Sequence, residues 1–581
     1  MNFIIKGFKI LPKSNQNKFW KLSIFQILKF ILEIFSIGSL IPLIFFLSKG
    51  EDQLIATINN YKILSFIPDE FYSKDIFLFS LISIIIFFFL IKFIFVIFTT
   101  YYEQGWFEKL NVTISSKLFD KYLENSSYLI IKKTPEKIRN LTNEVSIYCK
   151  FFIRSVVLGS TEILKLLVLL SLLFLFDPKI LIIGIVIIAF IFLILFRLLK
   201  KRIENLGKKR LINADYLIKY ITEGLYSSKE IVLSKNKNFF VNKYKSYASS
   251  TADVNVKFSI FNVIPKQSIE LISIIFICIL LFFLSKTTNE NSDLIFRVGI
   301  YSAFFLRILP IANQIQMLIQ NILFSKNSLE NLEEEFTKIN NHKVVNDYKD
   351  IKKLSVSPVD SLEFSNVNFK YNENENEVLL DINLKLETNK IYCFTGESGS
   401  GKSTFTDLMM GFLKPTNGKI IFNNKTLINQ DIDSWQMNIS YLSQNVFLLD
   451  ENLKKNIAFG VEEEEINDQK VKDVLKKVNM MSYFEKYRDG INTMIGEDGS
   501  MLSVGQKQRL AIARSLYADK NILILDEFSS SLDESNENYI FDMLKKNNQN
   551  KIIILITHSA NIITRSDNIY LIKDRKLKKI K

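Results

Sequence analysis

Six stretches of this chain, near 22–47, 76–99, 152–176, 179–198, 258–285 and 295–324, are apolar over lengths sufficient to cross hydrocarbon about 30 Å thick. Continuous apolar runs of that length read as transmembrane helices, because a helix satisfies its own backbone N–H and C=O groups where no water can. These runs account for much of the chain's 48% hydrophobic content and for many of its 50 phenylalanines. The formal net charge of +14 has a related origin: Lys and Arg flank the apolar runs, and no basic-aromatic pattern of the kind that reads RNA accompanies them. A nucleic-acid role is therefore set aside. Residues 1–21 carry Lys6, Lys9, Lys13, Lys18 and Lys21, which places the N-terminal segment in the cytoplasm by the positive-inside rule. The first run is too long for a signal peptide and lacks a small-residue cleavage site, so it is expected to stay as a span.

The connections after the second and fourth spans, 104–150 and 199–256, are long and rich in Lys and Arg. The others are short or carry acids such as Glu51, Asp52, Asp69, Glu70 and Glu290. Both termini then face the cytoplasm, and the localisation expected is the inner (cytoplasmic) membrane. Unstructured loops of such length are uncommon in compact proteins, so both connections are expected to be helical extensions of the spans, turning back near Pro135 and near 224–230. Ile55, Ile58, Ile63 and Phe66 recur at helical spacing and predict an interfacial helix on the outer face. Glu330, Glu333, Glu334, Glu335 and Pro358 mark a change to polar sequence. The expected division is a membrane domain over 1–330, a linker over 331–360 and a soluble domain over 361–581. That last part alternates β-rich runs (420–422, 439–442, 522–525, 552–556) with helical segments, the pattern of a parallel sheet covered by helices. Cys149, Cys278 and Cys393 show no metal or disulfide spacing and read as buried thiols.

The soluble part carries the chemistry. Gly396-Glu397-Ser398-Gly399-Ser400-Gly401-Lys402-Ser403-Thr404 fits G-x-x-x-x-G-K-[S/T] between an apolar run, 391–394, and an apolar-periodic segment, 405–412. Strand, loop and helix are thereby predicted in that order. Glycines let the loop turn its N–H groups toward phosphate oxygens, the following helix adds its positive end, Lys402 can bridge the terminal phosphates and the Ser403 hydroxyl can hold Mg²⁺. About 120 residues later the apolar run 522–525 ends in Asp526-Glu527, an acid suited to Mg²⁺ and an acid suited to orienting or deprotonating the attacking water.

Between these lies Leu502-Ser503-Val504-Gly505-Gln506, followed by Lys507-Gln508-Arg509. This stretch resembles the LSGGQ signature of ATP-binding cassette (ABC) proteins, and the other motifs of that family stand in order around it. Tyr371 is similar to the adenine-stacking A-loop tyrosine, Gln444 to the Q-loop glutamine, Gly496-Glu497-Asp498-Gly499 to the X-loop of exporters, Ser531-Leu532-Asp533 to the D-loop and His558 to the switch histidine. The other histidine, His342, falls in the linker and is assigned no role. The resemblance implies a polytopic α-helical membrane domain of six transmembrane helices, exporter type, fused to an α/β P-loop ABC nucleotide-binding domain. It implies ATP and Mg²⁺, with ATP contacts from Tyr371, from Gly396 through Thr404, and from Ser503, Gly505, Gln506 and Asp533. Mg²⁺ contacts are implied for Ser403, Gln444 and Asp526, and hydrolysis is assigned to Lys402, Gln444, Glu527 and His558. The signature binds nucleotide from the partner subunit in that family, so a homodimer is expected. Val504 stands where the pattern has glycine and predicts slower, not absent, hydrolysis.

Several spans carry basic residues: Lys92, Arg154, Lys165, Lys266 and Arg307. Ionisable groups at such depth are costly and usually face a cavity or a partner. Glu162 and Glu270 are placed to neutralise Lys165 and Lys266, whereas Lys92 and Arg307 show no acidic partner in sequence. The stretch Leu306-Arg307-Ile308-Leu309-Pro310-Ile311-Ala312-Asn313, with Pro265-Lys266, Lys92 and the expected outer helix, resembles bacterial flippases of undecaprenyl-diphosphate-linked oligosaccharides used in protein glycosylation. This implies a substrate cavity lined by Lys92, Lys266 and Arg307 that takes an amphipathic, lipid-linked anion. Lipid A-type, multidrug and peptide exporters are the alternatives.

Overall fold

The computed structural model describes residues 7, 10, 11, 16–39, 74–124, 134–176, 178–287, 291–341, 359–371, 376–428 and 431–581. They form two compact units, Met1–Asn341 and His342–Lys581. The expected outer helix over 55–66, His342 and Pro358 lie outside the described residues.

The first unit is built from α1 (Gln16–Gly38), α2 (Lys74–Glu124), α3 (Arg154–Phe176), α4 (Pro178–Tyr226), a short α5 (Ser228–Ser234), α6 (Lys237–Thr287) and α7 (Asn291–Asn341). The described parts of the six apolar runs fall largely on the six longer helices, one run to each. The most apolar window of Leu78–Glu124 in α2 has a mean hydropathy of 3.1 with none of it buried, and Lys237–Ile275 in α6 also meets the length and hydropathy of a span. Outward rings such as Phe79, Phe87 and Phe93 make an apolar surface of the kind that lipid or a neighbouring helix covers.

At 51 residues each, α2, α6 and α7 are about 75 Å long, more than twice the hydrocarbon thickness. The described parts of the polar connections are thus largely helical extensions of the spans, with α4 and α6 linked through α5 and a left-handed Lys235 at φ 57°. Pro265 and Pro310 sit inside α6 and α7 without ending them.

Before α3 the chain alternates α-helical turns (Thr134–Arg139, Val145–Ile147) with π-helical ones (Asn140–Glu144, Tyr148–Ile153). The wide turns bring Val145, Tyr148 and Phe152 into a core with Leu110, Leu118, Leu329 and Leu332. This core also moves the expected boundary. Leu329, Leu332, Phe336 and Ile339 recur on one helical face packed against it, so α7 runs to Asn341 and the linker does not begin at 331.

The second unit holds two sheets. One, in the order β10-β9-β3-β8-β7-β6, consists of β3 (Lys390–Thr395), β6 (Ile439–Leu442), β7 (Ile522–Asp526), β8 (Ile552–Ile556), β9 (Asn568–Lys573) and β10 (Lys576–Lys579). It is parallel apart from β10 at one edge. All five residues of β8 are buried, which is why its sequence is unbroken isoleucine and leucine. The other sheet is antiparallel, β2-β1-β4-β5, from β1 (Ser361–Phe369), β2 (Leu379–Glu387), β4 (Asn417–Phe422) and β5 (Lys425–Thr426). The run 420–422 thus belongs to β4 of this second sheet and not to the parallel one, because its alternation pairs it with the half-exposed β1. Helices α8 (Lys402–Met409), α9 (Val504–Ala518) and α10 (Glu534–Lys546) complete the frame needed below. Cys149 and Cys393 are buried as expected, whereas Cys278 is exposed on α6, where the surroundings of a span are apolar in any case.

Candidate functional site

The carboxyl ends of the parallel strands gather the predicted residues, as they do in open α/β sheets generally. β3 ends at Thr395, the loop Gly396–Gly401 follows, and α8 starts at Lys402. A Cβ at Gly396 would lie 2.5 Å from the Ile572 carbonyl and 2.8 Å from Ser400 Oγ, so the backbone there closes to a distance only glycine permits. Gly401 caps α8 with φ 102°, which leaves the first N–H groups of the helix directed at the loop. Lys402 Nζ donates to the carbonyls of Gly396 (2.5 Å) and Glu397 (3.0 Å). Burial lowers its pKa, against the opposing pull of Glu527 and Asp526. Among the described residues the buried Ser400 hydroxyl has no protein partner, and it is the kind of orphaned polar group that a phosphate oxygen satisfies. Glu397, Ser398, Gly399 and Ser403 are exposed, whereas Thr404 is buried with its hydroxyl 3.0 Å from that of Tyr371. The Tyr371 ring stands edge-on to Phe369 and remains half exposed.

Three strand ends converge on one carboxylate. Glu527, directly after β7, adopts the left-handed conformation at φ 48°, and its N–H donates to the Ile556 carbonyl at 2.8 Å. A non-glycine residue held there costs on the order of 1–3 kcal/mol and persists only where its surroundings determine it. Gln444, after β6, donates from Nε2 to Glu527 Oε2 at 2.8 Å. His558, after β8, has Nε2 4.0 Å from Glu527 Oε1. Next to this group the Asp526 carboxyl is raised in pKa by burial and by the charge of Glu527, and Tyr441 Oη lies 3.4 Å from it. Asp407 on α8 is pushed up to about 6 by burial and by Asp526.

This concentration of negative charge is what a divalent cation relieves, and the donors named for it, Ser403, Gln444 and Asp526, are hard oxygens. Among the described residues no group of three or more His, Cys, Asp and Glu forms an all-protein metal cage. That suits Mg²⁺, which is usually bound through one or two carboxylates with phosphate and water completing its shell.

The signature segment builds a different surface. Ser503 caps α9 reciprocally with Gln506: its N–H donates to Gln506 Oε1 (2.8 Å) and its Oγ accepts from the Gln506 N–H (3.3 Å). A Cβ at Gly505 would lie 2.7 Å from the Ser531 carbonyl, so the signature packs on the 531–533 turn through a glycine-only contact. Val504 is 63% exposed and outside that packing, which explains how glycine can be replaced there and not at 505. Asp533 caps α10, accepting from the Asn536 N–H at 2.7 Å.

A residue given no role from sequence, Gln508, joins the two surfaces. Its amide donates to Ser530 Oγ (2.8 Å) and to the Glu527 carbonyl (3.4 Å), and accepts from the Ser531 N–H (3.1 Å). Its only sequence signal was a glutamine on the buried face of α9.

In the first unit the basic residues separate into distinct groups. Arg154 on α3 pairs with Glu103 of α2 at 3.1 Å, and Gln26 of α1 donates to the same carboxylate at 3.0 Å. Lys165 pairs with Glu162 at 2.9 Å as expected, and additionally approaches Glu33 of α1 at 4.0 Å. The charges acting on Lys92 are Arg307, Glu33 and Lys29, so Lys92 does have an acidic neighbour, one that sequence distance concealed. Lys266 is not among them: it is exposed on α6, and no ion pair with Glu270 is found among the described residues.

A model of the ABC transporter transmembrane region matches residues 25–309, and an ABC transporter model matches residues 379–530. An export ATP-binding/permease protein of Rickettsia typhi is 37% identical over 218 residues, spanning 37% of this chain and only 38% of that protein. An ATP-dependent lipid A-core flippase of Colwellia psychrerythraea is 25% identical over 474 residues, 81% of this chain and 79% of its own length. The structure of a bacterial Atm1-family ABC exporter with ATP bound shares the fold at a TM-score of 0.77 and 18% identity, covering 97% of this chain and 95% of that one. With both of its domains matched in order, the chain belongs to the ABC transporters, as an exporter-type half-transporter whose transmembrane domain is followed by an ABC ATPase domain.

Proposed function

We propose that two copies of this chain use ATP binding and hydrolysis to move a phosphate-bearing lipid from the inner to the outer leaflet of the inner (cytoplasmic) membrane. The convergence of Gln444 and His558 on the strained Glu527 carries the catalytic part of this reading. Lys402 and the 396–401 loop hold the phosphates, Glu527 orients and deprotonates the attacking water, Gln444 fixes that carboxylate, and His558 reaches the γ-phosphate. Mg²⁺ supplies charge neutralisation of the phosphates, with Ser403, Gln444 and Asp526 as its protein contacts. Tyr371 stacks on adenine. Ser503, Gly505 and Gln506 serve the nucleotide of the partner subunit.

The lipid part rests on Lys92 and Arg307, two half-buried cations inside apolar helices. A cavity for neutral drugs has no reason to keep such charges. A relative that aligns over 81% of this chain is a lipid A-core flippase, which favours a lipid A-type phosphoglycolipid over the lipid-linked oligosaccharide implied by the sequence resemblance. Reconstituted protein tests the reading. Glu527→Gln retains ATP binding while turnover falls by a factor of about 100 or more, and lipid translocation stops with it. Substantial turnover in that variant would remove Glu527 from its role.

A further inference from the structure

In the second unit α9 turns two residues, one helical turn apart, onto the segment that follows β7. One is Gly505, where a Cβ would lie 2.7 Å from the Ser531 carbonyl. The other is Gln508, withdrawn to 4% exposure, and its amide uses both ends there. Nε2 donates to Ser530 Oγ at 2.8 Å and to the Glu527 carbonyl at 3.4 Å, while Oε1 accepts from the Ser531 N–H at 3.1 Å. The segment it grips begins with a strained residue. Glu527 stands in the left-handed region at φ 48°; its N–H donates to the Ile556 carbonyl at 2.8 Å, and its own carbonyl accepts from the Ser530 N–H at 3.2 Å as well as from Gln508. Such a conformation persists in a non-glycine residue only where neighbours fix it. Among the described residues Gln508 is the one side chain that bonds the Glu527 backbone.

We propose that Gln508 is a positioning residue for ATP hydrolysis: it clamps the 527–531 turn so that the Glu527 carboxylate is held where Gln444 and His558 meet it. The inference rests on the reading above that Glu527 acts on the attacking water. A residue that relaxes from the left-handed region swings its Cα–Cβ bond, so the carboxylate would leave the 2.8 Å bond from Gln444 Nε2 and its place 4.0 Å from His558 Nε2. The clamp needs a donor and an acceptor on one rigid plane at the end of a two-methylene stem, which is what glutamine supplies. An ionised glutamate keeps the acceptor and loses the donor, asparagine is too short to span, and methionine has the length with neither group. Among the described residues the side-chain bonds of Gln508 go to 527–531 alone, so nucleotide capture by the 396–404 loop does not pass through it. Its effect is therefore on the rate of the chemical step and not on the affinity for ATP.

The test is steady-state and single-turnover ATP hydrolysis by the purified full chain, with ATP binding and the thermal midpoint measured on the same samples. Gln508→Met lowers kcat by about tenfold or more, while KM and the affinity for ATP stay within about twofold of wild type. Ser530→Ala, at an exposed position where folding is not at stake, removes one anchor of the same amide and lowers kcat by about threefold with KM unchanged. In a Glu527→Gln background Gln508→Met slows the residual single turnover no further, because a residue that acts through a carboxylate has nothing to position once that carboxylate is gone. An unchanged kcat in Gln508→Met, a fall in kcat matched by weaker ATP binding, or losses that multiply in the double variant would each overturn the positioning role. If Gln508→Met does not fold, Ser530→Ala decides, and full turnover there overturns it equally. Substantial turnover in Glu527→Gln alone would instead remove the catalytic reading of Glu527, and the role of Gln508 with it.

Discussion

At the scale of single residues, two neighbouring positions of the signature behave oppositely for a geometric reason. Gly505 touches the Ser531 carbonyl so closely that any Cβ would sit 2.7 Å from a backbone oxygen, whereas Val504 is mostly exposed. Gly505→Ala must therefore shift the 531–533 turn, which also carries the Gln508 contacts leading to Glu527. We expect ATPase turnover to fall by about tenfold or more, since small misplacements of catalytic groups cost at least that much. Val504→Gly, which only removes an exposed side chain, leaves turnover no lower than wild type. Steady-state ATPase measurements on the two variants check the contrast, and equal losses would show that Ser531 is not what constrains the segment.

At the scale of elements, the helices 134–176, α4 and α7 are joined by a buried polar network. Glu144, fully buried in a π-helical turn, receives Arg210 of α4 through two bonds of 2.8 and 3.2 Å, and Arg139 lies 4.0 Å away. Arg210 also reaches Ser328 of α7 at 2.7 Å, while Arg139 bonds Asp215 and Asn331. Deleting one member leaves the opposite charges buried and unpaired, a loss typically of about 3–5 kcal/mol. Glu144→Gln is expected to lower the apparent thermal midpoint clearly in detergent. Glu144→Leu combined with Arg210→Met, which removes both charges, is expected to recover part of that loss. A single variant as stable as wild type would mean that water already screens the network.

At the scale of the whole molecule, the signature and the phosphate loop are predicted to complete a nucleotide site only between two chains. Specific ATPase activity should then fall on dilution in step with dissociation of the dimer, followed by mass photometry on the same samples. A monomer fraction hydrolysing at the full rate would refute the two-chain site.

What the sequence determined alone is what depends on local period and fixed spacing. Long apolar runs in lipid have only helix open to them, and the polar lengths after the second and fourth were already too long to be loops; α2 and α6 realise both. The loop 396–404 and the strand before Asp526 were legible because phosphate binding demands glycine and lysine at set intervals. Tertiary structure decided everything that depends on which distant segments meet. Leu329 and Leu332 found a core that kept α7 helical to Asn341, although the charges around them read as a linker. Run 420–422 joined the antiparallel sheet because β1 lay beside it. Gln508 acquired its role from Ser530 and Ser531, and Lys165 gained Glu33 from a helix more than a hundred residues earlier. A side chain's own chemistry is written in the sequence, but its partners are set by helix rotation and strand order, which no local pattern records.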